Sequence, residues 1–313
     1  MRSAFMISGC VWDFRTGNRV TEYMCAVQHS TGANTFCIEM ELSMKRTAIA
    51  CLISSIFAMG CAVGAPEFEG SEDIGKAEEA LVAGNAIVPN AIVPNAIVPN
   101  AIVPNALDYT LLSQASQSAL SDSGSAGELS RLFLRYAVSC AFTSAQSFSF
   151  SWIDSNEFVH NETYVGEIGL APQWQTGPLG TAEQEWVSAC LAARTNYYGV
   201  SVLISMRGPN AALATTIAEE AQFSKLEGAF WGNIFQDTPT LSACHLEANI
   251  DSSINSQRIC ATGLNDGSVV ISCGIINIVG ECNTDSLCTG RDRDSDPFTQ
   301  CGGSGHVITT FLQ

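Results

Sequence analysis

The sequence predicts an α+β fold: a single disulfide-rich globular domain, with helices early and short strands late, behind a repeat linker. Three observations predict it. Eight cysteines lie beyond residue 61, and six of them fall between 244 and 301. Apolar residues at helical spacing dominate 108–198, whereas short runs at strand spacing dominate the rest. A pentapeptide repeat separates this part from everything upstream.

The N-terminal third reads as an address. Lys45 and Arg46 head an apolar run from Thr47 to Met59, which ends in Gly60-Cys61. This is the order of a secretory signal peptide. The apolar run is shorter than the roughly 20 residues a bilayer span needs. Ala58-Met59-Gly60-Cys61 resembles a bacterial lipobox, so Cys61 is the expected lipidation site and mature N-terminus. Residues 1–43 then stand ahead of the true start, as a leader mis-annotated into the chain; they carry no sustained apolar period. Residues 44–61 are the signal peptide. Residues 62–84 are acidic and rich in Gly and Ala, a flexible tether that cannot bury enough apolar area to order itself. Ala62 and Val63 lack the Asp that often retains lipoproteins at the inner membrane, so the outer membrane is the expected location.

Charge narrows the partners. The whole chain carries −17 at pH 7. After Cys61, nine basic residues face 27 acidic ones. Such a surface excludes nucleic acid, whose phosphates need clustered Lys and Arg. It also opposes adhesion to anionic headgroups other than through the lipid anchor.

An even set of cysteines in an exported chain reads as disulfides. The set is Cys140, Cys190, Cys244, Cys260, Cys273, Cys282, Cys288 and Cys301. Spacing leaves the connectivity open, although Cys140 and Cys190 both fall on apolar helix faces and are expected to clamp two helices. Five residues separate Cys282 from Cys288, and His245 directly follows Cys244; neither spacing is that of a structural zinc knuckle.

Residues 85–107 form the repeat linker. Asn-Ala-Ile-Val-Pro starts at 85, 90, 95 and 100, and a truncated copy starts at 105. A proline at every fifth position forbids a continuous helix or a central strand. A semi-extended spacer is expected, with Ile-Val pairs able to lie against the domain that follows.

The globular domain is expected over 108–313. Asp108 or Thr110 caps a first helix bearing Leu111, Leu112, Ala115 and Ala119. Ser125-x-x-Glu128 is a capping box opening a second helix, and Thr181-x-x-Gln184 opens a third that presents Trp186, Cys190 and Tyr197. Phe148, Phe150 and Trp152 alternate with serines, a strand that turns at Asp154-Ser155-Asn156 and returns from Phe158 to Val165. Val200–Met206 reads as a strand, Ile217–Phe223 as a helix, Gly228–Gly232 as an aromatic turn and Ile254–Ile259 as a short helix. Val269–Ile271, Ile275–Val279 and Val307–Leu312 are the late strands.

Chemistry is weakly signalled. Asp292, Asp294 and Asp296 alternate like the first ligands of a calcium loop, but Pro297 stands where such a loop needs Gly. Calcium is the best ligand guess. Gly303-Ser304-Gly305-His306 pairs a hydroxyl with an imidazole, without the G-x-S-x-G elbow. Glu183/Glu185, Glu219/Glu220 and Glu157/Glu162 are paired carboxylates of the kind glycosidases use. Trp174 and Trp231 lie in Gly/Pro-rich stretches and are the expected surface-binding aromatics. No catalytic residue is assigned.

Residues 129–135 with Cys140, 168–174 (IGLAPQW), 184–198 (QEWVSACLAARTNYY), 228–235 (GAFWGNIF) and 307–312 (VITTFL) resemble a family of uncharacterised secreted proteins and lipoproteins of myxobacteria. Short Asn-containing repeats likewise precede the domain in that family. The resemblance implies export and one cysteine-rich domain, and brings no activity. The expected function is therefore a cell-envelope lipoprotein with an extracytoplasmic binding or scaffolding domain. A secreted hydrolase acting on glycan or peptide is the alternative.

Overall fold

A computed structural model describes residues 82–83, 99–263 and 271–313. The leader, the signal peptide with Cys61, most of the tether and the first three repeat copies up to Val98 lie outside these residues, as do Val269 and Val270.

The architecture is α+β. A six-stranded sheet has the order β1 (Val82–Ala83), β4 (Ile204–Arg207), β10 (Ile308–Leu312), β5 (Lys225–Asn233), β6 (Thr240–His245), β7 (Ile276–Glu281). Only β6 and β7 run parallel. β2 (Ser147–Ile153) and β3 (Val159–Val165) form a separate hairpin, and β8 (Cys288–Thr289) pairs with β9 (Gln300–Cys301).

The C-terminal strand is central, and all five of its residues are buried. Its run Ile-Thr-Thr-Phe-Leu has no polar face to give to water because both sheet faces are covered. Ile308 and Leu312 turn to the main core with Phe230, Leu241 and Ala243, and Phe311 turns to the other side with Ala229, Trp231 and Cys244. The two threonines find partners there: Thr309 Oγ1 accepts from the Phe298 amide at 2.9 Å, and Thr310 Oγ1 donates to the Gly228 carbonyl at 3.4 Å.

The main core packs α2 (Ser125–Ala141) and α3 (Thr181–Ala193) against the sheet. Cys140 and Cys190 join them, as expected, with 6.1 Å between Cα atoms. The other six cysteines pair among themselves: Cys244–Cys282, Cys260–Cys273 and Cys288–Cys301. Two of these bridges sit under Phe298 and Phe311 in the smaller core. There the covalent links add to the burial of Phe223, Trp231, Phe298 and Phe311. Disulfides of this number persist in oxidising compartments outside the cytosol. Among the described residues no helix is long and apolar enough to cross a membrane.

Several elements differ from expectation for identifiable reasons. Asp108 caps only a 3₁₀ turn at Tyr109–Leu111, and the first α-helix, α1 (Gln114–Leu120), takes Ser113 as its cap. Neither capping box forms. Gly124 and Gly180 are the N-caps, which makes Ser125 and Thr181 the first helical residues. Residues 228–232 are not a turn but the middle of β5. Gly228 serves close approach, since a Cβ there would come within 2.1 Å of the Cys244 carbonyl oxygen. The expected helix at 254–259 is α5 (Ile250–Asn255), ended by Gln257 at φ 56°. α4 (Ile217–Gln222) and the β2–β3 hairpin stand at their expected places.

The domain begins before 108. Ile102, Val103 and Leu107 are buried in the main core. The Leu107 amide donates to the Trp174 carbonyl at 2.7 Å, and the Leu179 amide to the Val103 carbonyl at 2.9 Å. The last full repeat copy is thus part of the globular body. β1, upstream of the repeat, adds an edge strand against Ile204 and Ser205.

Candidate functional site

Along α2, Arg131 and Arg135 are one turn apart and face the hairpin. β2 and β3 put Phe148, Phe150, Trp152 and Tyr164 on their inner side. Phe150 and Tyr164 meet edge to face at 5.8 Å. Arg131 lies 4.2 Å over the Trp152 ring and donates to the Leu120 and Asp122 carbonyls at 2.7 and 2.8 Å. Its Nε is 4.0 Å from Glu162, which also accepts from Trp152 Nε1 at 3.4 Å. His160 stacks on Trp152 at 4.3 Å and bonds Asp154 at 3.0 Å. That bond, before other causes, lowers the pKa of Asp154.

Between α2, β3 and the end of α3 opens a half-enclosed cleft of about 210 Å³, lined among others by Arg135, Ser139, Thr163, Tyr164 and Arg194. It is small beside the about 300–1,000 Å³ of drug-sized sites. Arg194, only 1% exposed, is held by Ser139 Oγ at 2.6 Å and Glu167 at 3.3 Å, and lies 4.5 Å over Tyr136. Arg135 is exposed and reaches 5.4 Å over the Tyr164 ring. It is the one arginine among the described residues with neither a carboxylate nor a carbonyl partner. Three guanidiniums here face two carboxylates, Glu162 and Glu167, in a chain where acids outnumber bases.

The Tyr164 hydroxyl is buried with no hydrogen-bond partner. Burial first, then the charge of Glu162, raises its pKa well above the ordinary tyrosine value. Glu162 acts on it through space but makes no bond of normal geometry. The phenol therefore stays a neutral donor throughout the physiological range. A buried polar group without a partner costs free energy. The cleft offers an anion one exposed guanidinium and the apolar rim of the hairpin.

The other residues that the sequence singles out fall elsewhere. Trp174 and Trp231, expected at the surface, are buried at 0% and 7% exposure. Trp174 packs edge-on against Phe142 and Phe235, and Trp231 belongs to the smaller core. Gly232 beside Trp231 serves close approach, since a Cβ there would come within 2.3 Å of the Thr240 carbonyl oxygen. Among the described residues the exposed aromatics are Phe158, at the hairpin tip, and Tyr197 with Tyr198. Asp292, Asp294 and Asp296 do not converge. Arg293 takes Asp296 at 2.5 Å, which depresses the Asp296 pKa, while the Asp294 carboxylate points into solvent. Arg291 wraps the same loop through the Asp294 and Asp296 carbonyls. Among the described residues, the group with metal-ligand proximity is Cys244, Cys282 and Cys288, and all three are consumed by disulfides.

Ser304 and His306 acquire a partner that spacing does not reveal. Glu185, on α3, lies 2.5 Å from His306 Nδ1. Ser304 Oγ accepts from the His306 amide at 3.1 Å and donates to Glu185 at 3.4 Å. A nucleophile must hydrogen-bond its base, and here serine and histidine both turn to the carboxylate. Of the paired acids, Glu219 is buried against Ser205 Oγ at 2.7 Å and sits beside the buried Arg207.

The cleft escapes a reading of the sequence because it joins residues as far apart as Arg135 and Arg194. Arg135 beside Arg131 on an otherwise apolar helix face is the available signal. Comparison with protein families, with curated proteins and with solved structures finds no match for this chain.

Proposed function

We propose that the protein is an exported lipoprotein, anchored through Cys61 in the outer membrane, whose domain captures a small anionic ligand in the cleft between α2, β3 and α3. One observation carries the reading: the exposed, carboxylate-free guanidinium of Arg135 stands over the Tyr164 ring at a cleft that Arg194 also lines. Against the overall negative charge, such a site selects for a carboxylate or sulfate while the surface repels anions elsewhere. The four disulfides fit a domain working outside the cytosol. A secreted hydrolase is the second reading, and the His306–Glu185 bond is what favours it.

The probes that test the proposal are glucuronate and sulfate, with glucose as the neutral control, titrated calorimetrically into the full chain. Either anion is expected to bind, glucose not to bind, and Arg135→Ala to weaken the anion at least tenfold. Equal binding of glucose and glucuronate, or an unchanged affinity in Arg135→Ala, would remove the site. Turnover of a glycan or peptide substrate that His306→Ala abolishes would favour the hydrolase instead.

A further inference from the structure

The fourth repeat copy is seated as a ligand would be. Pro99–Ala101 makes a 3₁₀ turn, closed by the Ile102 amide on the Pro99 carbonyl at 3.2 Å. Ile102, Val103 and Leu107 then enter the main core at 2%, 7% and 3% exposure. The two hydrogen bonds that fix the segment use its backbone: the Val103 carbonyl accepts from Leu179, and the Leu107 amide donates to Trp174. Ala101, Pro104 and Asn105 face outward. The socket therefore reads a short pattern: a proline, an Ile-Val pair beginning three residues further on, and a branched aliphatic residue four after the Val.

That pattern occurs more than once. Residues 99–107 read PNAIVPNAL. Residues 94–102 and 89–97 both read PNAIVPNAI. Each upstream window differs only by Ile in place of Leu at its last position, a volume-conserving exchange that cores tolerate. The backbone bonds are indifferent to side chains. Moving the register by one copy puts Ile97, Val98 and Ile102 where Ile102, Val103 and Leu107 sit. The five residues released join the connection to Tyr109, and loop closure grows only logarithmically with length.

We propose that the socket is a register-exchangeable site, in which an upstream copy of this chain's own repeat can replace residues 99–107. Each exchange moves five residues from one side of the seated copy to the other. Because β1 holds the chain upstream of the repeat to the sheet, each exchange shortens the connection from β1 and lengthens the one to Tyr109. This inference is independent of the anionic-ligand reading.

Thermal unfolding of the full, disulfide-intact chain tests it. Val103→Asp is introduced alone, and again in a Val88→Asp/Val93→Asp/Val98→Asp background that spoils every upstream window. Because a domain of this size loses about 2–4 °C in Tm per kcal/mol, a charge left in the socket should lower Tm by about 10 °C. Alone, Val103→Asp is expected to cost about 3 °C, because a neighbouring copy moves in. In the triple background the full loss should appear, while the triple substitution by itself should leave Tm within about 1 °C of the parent. Should the quadruple variant not fold, Val103→Ala in the same two backgrounds gives the same contrast on a smaller scale. Equal losses in both backgrounds would overturn the proposal. So would a rescue that grows with protein concentration, because the occupant would then come from a second chain.

Discussion

Glu227→Ala is expected to be the most damaging single substitution in the domain. Glu227 and Arg258 are 0% and 1% exposed, and their bonds run at 2.9 and 3.1 Å. Arg258 also donates to the Ala193 and Thr195 carbonyls at 2.8 and 3.0 Å. Its guanidinium thus closes the C-terminal end of α3, where carbonyls lack helical partners and a cation is favoured. Removing the carboxylate strands a charge among these groups. Breaking a buried pair from one side costs about 3–5 kcal/mol. For a domain of this size that is a fall in Tm of about 6–20 °C. Replacing both partners, as Glu227→Leu with Arg258→Met, should cost clearly less, because no buried charge is left over. Circular-dichroism melts of the three proteins under non-reducing conditions check this. A single substitution no worse than the double would show that the pair does not anchor α3.

The second large effect is expected from Cys140→Ser with Cys190→Ser. The bridge joins residues 50 apart in the chain, one on α2 and one on α3. Loss of a native disulfide of this kind costs about 2–5 kcal/mol. It should also reach the cleft. Arg135 stands on α2, and Arg194 caps α3 four residues after Cys190. Without the clamp the two helices can separate, so glucuronate affinity should fall more than the same loss of stability causes at a distant site. Gly228→Ala, which presses on the Cys244 carbonyl at the far side of the sheet, is the comparison. Equal affinity in both variants would detach the clamp from the cleft.

The sequence announces what depends on local pattern. Phe148, Phe150 and Trp152 alternate over a hairpin whose turn residue, Asp154, accepts from the Asn156 and Phe158 amides at 2.8 and 3.0 Å. Both facts are local, and both are legible. The Cys140–Cys190 pair is legible because two helix faces converge on one core. The departures from expectation share a cause. Gly228 and Gly232 look like punctuation in one dimension. In the sheet, Gly228 allows β5 to approach β6 within contact of its backbone. Trp231 lies beside a glycine, yet it belongs to a strand covered on both faces and so is buried. The cleft needs Arg135 to meet Tyr164 and Arg194 in space, and Glu185 needs the last strand's approach to bring His306 to it. Neither meeting leaves a trace in spacing. The docking of Ile102 and Val103 is half legible: the apolar pair is evident, but not that Leu179 donates to the Val103 carbonyl or that the Trp174 carbonyl accepts from the Leu107 amide.

A domain that borrows its second core from disulfides must be made where thiols oxidise. The most direct measurement is mass-spectrometric mapping of cysteine pairs in protein drawn from the cell envelope without reductant. Four linked peptides are expected, joining Cys140 to Cys190, Cys244 to Cys282, Cys260 to Cys273 and Cys288 to Cys301, with none of the eight sulfurs open to alkylation. Alkylated Cys244, Cys282 and Cys288 in folded protein would contradict the account, since those three sulfurs, within 4.8 Å of one another, would then be free thiols and not cross-links.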